Sequence, residues 1–122
     1  MPNQIVWCDI PVSDLDRAIR FYTARIGQAV KKQEYPGFAI GLLPGQSPDS
    51  SGCLYLSEGA ENHPGVAGPL VYFNCSGRLD DAIAQTESHG GKVVHAKHKI
   101  GDHGFRAVIL DSEGNRIALH SM

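Results

Sequence analysis

Apolar and polar residues alternate along 5–12, with Cys8, Ile10 and Val12 on one side and Trp7 and Asp9 on the other. A period of two predicts a strand that buries one face. The period then lengthens: Leu15, Ala18, Ile19, Tyr22 and Ile26 recur at helical spacing. Ser13 or Asp14 stands where a cap is needed, and Gly27 stands where a left-handed residue would stop the helix. Three short strand patterns follow near 29–34, 37–43 and 53–57, the last two parted by the turn-rich stretch PGQSPDSSG.

The pattern then repeats. Residues 69–75 alternate with Val71, Phe73 and Cys75 on one face. Leu79, Ala82, Ile83 and Thr86 renew the helical stripe, and Gly90-Gly91 closes it. Strands near 92–98, 104–111 and 115–121 complete the second half, with Asp111-Ser112-Glu113-Gly114-Asn115 as a hairpin signal. The likeness reaches individual residues. Leu15-Asp16-Arg17-Ala18-Ile19 returns 64 residues later as Leu79-Asp80-Asp81-Ala82-Ile83. Cys8, Ile10 and Val12 answer to Val71, Phe73 and Cys75 at a spacing of 63, as Leu54-Tyr55-Leu56 does to Ile117-Ala118-Leu119. An internal repeat of this length predicts two βαβββ modules in one α+β domain: module one 1–57, a linker 58–68, and module two 69–122.

Composition narrows the function classes. Apolar residues are 42% of the 122 and charged residues 20%, enough apolar content to pack a core. Fourteen glycines and seven prolines suit short strands joined by turns. Eleven basic against thirteen acidic residues leave a net charge of −2, so no basic patch points to nucleic acid or to an anionic membrane. No apolar run reaches the ~20 residues of a membrane span. The opening MPNQIVWCDIPVSD has an early Asp and no basic stretch, unlike a signal peptide, so a cytoplasmic protein is expected. Three cysteines without a CxxC read as buried reduced thiols.

Three stretches, IPVSDLDRAIRFY (10–22), LDDAIAQTESHGGKVV (79–94) and IGDHGFRAVILDSEGNRIALHS (100–121), resemble the vicinal oxygen chelate superfamily of glyoxalases, bleomycin-resistance proteins and extradiol dioxygenases. The resemblance covers nearly the whole chain. One departure is Ser112, where the family usually has Pro in the last turn. It implies that each module curls its sheet into half of an open cleft with the helices outside. By alternation, Trp7, Asp9, Cys53 and Tyr55 of module one would then face the cleft. So would Leu70, Tyr72, Asn74, Arg116, Ala118 and His120 of module two.

The resemblance also says where a metal would sit. The family's metal enzymes use His, Gln or Glu at four places, which fall here on Trp7, Tyr55, Leu70 and Ala118. None is such a residue, and divalent ions generally need three or more N, O or S ligands. A lost metal site and no cofactor are therefore expected. His95 and His98, three apart on one strand, are expected to face opposite sides. His63 and His89 read as solvated, as do His95 and His98. His120 shares a face with Ala118, and His103 lies in the glycine-bounded loop Ile100-Gly101-Asp102-His103-Gly104, a possible lid.

The ligand-binding candidates are thus Trp7, Asp9, Tyr55, Tyr72, Asn74, His103, Arg116 and His120, with Asp9 and His120 as catalytic candidates should there be a reaction. Asp9 beside Trp7 invites desolvation and use as a base; the plainer alternative pairs it with Arg116 or a backbone N–H. The favoured reading is a protein that binds a small organic molecule in an aromatic-lined cleft, without the family's usual metal site, working as a homodimer that covers its exposed sheet edges. The alternative is a lyase, isomerase or dioxygenase with a nonstandard metal site or metal-free acid–base catalysis.

Overall fold

The structure is a computed structural model that describes residues 7–45, 51–57 and 63–122. Module one runs β1 (Trp7–Val12), α1 (Leu15–Ile26), β2 (Lys31–Tyr35), β3 (Phe38–Leu42) and β4 (Ser51–Leu56). Module two runs β5 (Val71–Asn74), α2 (Leu79–Ser88), β6 (Lys92–Lys99), β7 (Phe105–Leu110) and β8 (Arg116–Ser121). The α+β fold with two βαβββ units is as the repeat predicts. Part of the expected linker, 58–62, lies outside the described residues.

The two curved sheets have the same wiring. Their strand orders are β1-β4-β3-β2 and β5-β8-β7-β6, each with one parallel pair between its first and last strands. The first strand of each module is therefore an edge. In module one the parallel pair closes over Gly52, where a Cβ would lie 2.2 Å from the Cys8 carbonyl oxygen. Only a glycine lets β1 and β4 approach so closely there.

Asp14 caps α1 by accepting from the Arg17 amide at 3.0 Å, and Gly27 ends it at φ 80°. The buried face of α1 is Leu15, Ala18, Phe21, Tyr22 and Arg25, while Ile19 and Ile26 are only partly buried. The stripe is thus wider and rotated from the expected one. The cause is that α1 packs against α2 as well as its own sheet. Leu79, Ala82 and Thr86 of α2 are buried as expected.

One core serves both modules. Ile10, Val12 and Leu54 of module one join Cys75, Leu79, Ile109, Ile117 and Leu119 of module two in a single cluster. The helices meet each other, but among the described residues no strand of one sheet pairs with a strand of the other. The cleft-side faces of both sheets consequently look away from the shared core.

A polar clasp closes the seam between modules. The last turn accepts and donates across it: Tyr22 Oη donates to Asp111 Oδ2 at 2.6 Å, and Asn115 Nδ2 donates to the Pro11 carbonyl at 2.8 Å. Asp111 Oδ1 holds the turn itself by accepting from the Glu113 and Asn115 amides, both at 2.8 Å. The Glu113 carboxylate takes Arg17 Nε at 2.7 Å, Arg17 Nη2 at 2.8 Å, and the amides of Ser13 and Asp14 at 2.9 and 3.0 Å. Arg25 is fully buried; its Nε and Nη1 have no hydrogen-bond partner, and its Nη2 reaches Cys75 Sγ at 4.0 Å. Burial lowers the Arg25 pKa and raises that of Tyr22.

The β6 strand departs from regular alternation. It carries two register shifts against β7, between Val93 and His95 and between His95 and His98. His95 comes to lie opposite Val108 and His98 opposite Arg106, two residues apart on β7. The expectation that these histidines sit on opposite sides is corrected: the shift between them adds one residue to β6, so both pair with residues that share a face of β7.

Candidate functional site

Three neighbouring strands of module two build a concave surface. Tyr72 on β5, His120 on β8 and Arg106 on β7 fall on one side of the sheet, with Arg106 directly across from His120. With Ile100 and His103 of the β6–β7 loop they line a cavity of about 530 Å³. The Tyr72 and His120 rings meet edge-to-face with centroids 6.1 Å apart.

The loop is held by its own backbone. Ile100 and Gly104 join through an N–H···O bond of 2.9 Å, and the His103 amide returns to the Ile100 carbonyl at 3.1 Å. Gly104, at φ 88°, passes so close to β8 that a Cβ would stand 2.3 Å from the Ser121 carbonyl oxygen. His120 Nε2 donates to the His103 carbonyl at 2.6 Å and ties the loop down over the cavity wall. In this structure the loop expected as a lid stands as one wall of the cavity.

Arg106 is held from two sides. Its Nη1 donates to Tyr72 Oη, and its Nε donates to His98 Nε2 at 3.1 Å. The His98 Nδ1 bonds the Ala96 carbonyl at 2.8 Å, which requires the proton on Nδ1 and leaves Nε2 as the acceptor Arg106 needs. Neither Arg106 nor His98 was among the residues singled out from sequence. Arg106 lies two residues past Gly104, and alternation along 105–110 places it with Val108 on the side of His120. That signal was readable. His98 was hidden by the bulges.

The remaining sequence candidates divide between two sheets. Trp7 and Asp9 share the exposed face of β1, where the Trp7 indole N–H donates to Asp9 Oδ1 at 2.9 Å. The Cys53 thiol of β4 donates to the same oxygen at 3.4 Å. Asp9 thus pairs with Trp7 and Cys53; Arg116 stands in the other sheet. Asp9 is exposed on this face. Tyr55 is half-buried on β4 of the same sheet. In module two, Asn74 Oδ1 accepts from the Ser76 amide at 2.9 Å and shapes the turn into α2. Arg116 lies on the side of His120 but at the far end of β8, and its buried Nε has no hydrogen-bond partner.

Cys53 and Cys75 are buried thiols, and Cys8 is half-buried. None is in a disulfide. Burial raises the pKa of Cys8 and of Cys75, and burial followed by the Asp9 hydrogen bond pushes Cys53 up to about 11. A thiol so protonated is a poor nucleophile.

The positions at which the resembled family holds its metal carry Trp7, Tyr55, Leu70 and Ala118. The Trp7 ring nitrogen is a donor already committed to Asp9, and Leu70 and Ala118 have no donor atom. These four side chains do not form a ligand set for a divalent ion. Among the described residues, no three His, Cys, Asp or Glu side chains come together elsewhere. No described helix is long and apolar enough to cross a membrane.

Comparison with known proteins follows the same lines. A family model described as Glyoxalase/Bleomycin resistance protein/Dioxygenase superfamily matches residues 4–119. No curated protein matches the chain. Among solved structures, a glyoxalase-related enzyme from Fulvimarina pelagi superposes with a TM-score of 0.73 at 15% identity, over 98% of this chain and 88% of that one. A glyoxalase/bleomycin resistance protein from Albidiferax ferrireducens T118 gives 0.71 at 17%, over 98% and 99%. The trypanothione-dependent glyoxalase I of Leishmania major gives 0.67 at 21%, over 98% and 86%. At these identities the structures speak for the fold.

Proposed function

We propose that this chain, which belongs to the Glyoxalase/Bleomycin resistance protein/Dioxygenase superfamily, binds a small organic molecule on the open face of module two without a divalent metal. The observation that carries the reading is the cavity lined by Tyr72, Ile100, His103, Arg106 and His120. Its volume of about 530 Å³ falls within the range of small-molecule sites, and it joins aromatic walls to a few fixed polar groups. Tyr72 and His120 offer ring faces and edges to a flat ligand, and Arg106 supplies direction. The Trp7, Tyr55, Leu70 and Ala118 set supports the metal-free part.

The working unit in this reading is a homodimer. Both β1 and β5 are sheet edges, and Trp7 and Tyr72, on the open faces beside them, are 48% and 46% exposed. A second copy would cover those edges and place the face of module one over the cavity of module two. Three free thiols fit a reducing, cytoplasmic setting.

The test combines metal analysis after exhaustive dialysis, thermal shift with and without divalent ions, and a fragment screen mapped by amide NMR. The expected result is no stoichiometric metal, little response to divalent ions, and fragments that perturb Tyr72, Arg106 and His120. Tightly held stoichiometric metal would overturn the metal-free reading and favour a lyase, isomerase or dioxygenase. Sedimentation at a single-chain mass would overturn the dimer.

A further inference from the structure

We infer that the molecule bound in the module-two cavity is an organic carboxylate, whose two oxygens are received by Arg106. The inference rests on the small-molecule reading above and adds the charge and shape of the ligand. Arg106 is permanently cationic and carries five N–H donors. The described contacts use two of them, one on Nε toward His98 and one on Nη1 toward Tyr72. Both acceptors are neutral: His98 must be neutral to accept on Nε2 while its Nδ1 proton goes to Ala96, and Tyr72 is a phenol.

No described carboxylate forms an ion pair with Arg106; the ion pairs of the described residues lie at Arg17, Lys32, Arg78 and Lys97. The one acidic residue of the adjoining loop, Asp102, is exposed and is not among the residues lining the cavity. The cavity lining holds no acidic side chain at all, but one guanidinium and two imidazoles. Three N–H groups on Nη1 and Nη2 are left over, and that end of the fork suits a bidentate carboxylate. His98 and Tyr72 act as positioning residues, since they fix the guanidinium plane before any ligand arrives. An aromatic or otherwise flat body would then lie against the Tyr72 and His120 rings.

The test uses the full chain and two matched probes, benzoate and its neutral counterpart benzamide, titrated at constant ionic strength and followed by amide NMR. Benzoate is expected to shift Tyr72, Ile100, His103, Arg106 and His120 saturably, with benzamide at least about tenfold weaker. Arg106→Met should weaken benzoate about tenfold or more and benzamide by a much smaller factor. Should that variant fold poorly, Arg106→Lys, which keeps the charge and loses the fork, should weaken benzoate by a smaller factor. Raised salt should weaken benzoate alone. Equal binding of the two probes, or benzoate binding indifferent to Arg106→Met and Arg106→Lys, overturns the carboxylate and leaves the small-molecule reading standing. Absence of any cavity shift with both probes overturns the carboxylate too, and a fragment screen that is also silent at the cavity removes the broader reading with it.

Discussion

The two modules share their wiring and their helix-side packing, yet their open faces differ. In module one the polar groups satisfy one another: Trp7 and Cys53 both donate to Asp9. In module two the polar groups hold a cation that keeps donors to spare, and a glycine-bounded loop walls the cavity. The buried side of a duplicated fold must keep its shape because both copies fill one core. The open side carries no such constraint, and there the copies have parted. The same wiring therefore presents different side chains on its two open faces.

That contrast can be broken at its base. Leu54→Ala in module one and Leu119→Ala in module two each remove a fully buried side chain from the same cluster. Each should cost about 3–4 kcal/mol in urea unfolding and leave one cooperative transition. Two separated transitions would show that the modules are independent units. Next in size is Asp111→Ala. It strips partners from the Tyr22 hydroxyl, the Glu113 and Asn115 amides and the Asn115 side chain. A loss of about 2–3 kcal/mol is expected, measured the same way.

Glu113 sharpens the comparison through pH. Burial pushes its carboxyl up, but hydrogen bonds from Arg17, the Asp14 amide, Ser112 and the Ser13 amide outweigh this and hold it at about 2. Its folded pKa lies below the unfolded value of ~4.3, so its stabilisation is full above that value. The stabilisation fades as pH falls toward about 2. Glu113→Gln should cost about 1–2 kcal/mol at pH 7, a figure moderated by the half-exposed Arg17, and should flatten the acid limb of stability. An unchanged acid limb would place the pH sensitivity elsewhere. The smallest effect is expected at Asp9→Asn: stability within about 0.5 kcal/mol, but altered emission from Trp7, the sole tryptophan. A large stability loss there would mean that the face of module one is structural.

Much of this was legible in the sequence. Alternation put Ile10 and Val12 in the core and Trp7 and Asp9 outside it, and the repeat foretold the second module from the first. Tyr72, His103 and His120 were singled out and do line one cavity. The gaps have physical causes. Bulges in β6 cannot be counted from residue types alone, so the sequence shows neither that His98 shares a side with His95 nor that it meets Arg106. Period-two logic says which residues share a face but not which sheets face each other. Asp9 and Arg116 were therefore offered as partners although they stand on separate sheets. The hairpin signal at 111–115 marked a turn, and nothing in it told that the turn grips Pro11, Ser13 and Asp14 of the other module.

That grip spans almost the whole polypeptide. The bonds from Glu113 to Ser13, from Asn115 to Pro11 and from Asp111 to Tyr22 join positions 100, 104 and 89 apart in sequence. A nascent chain cannot make them until residues 111–115 have left the ribosome, so the first helix waits for that turn before its entry is secured. A fragment cut just before Asp111 would therefore leave module one without its lock, and it should be a substrate for proteases rather than a smaller working protein.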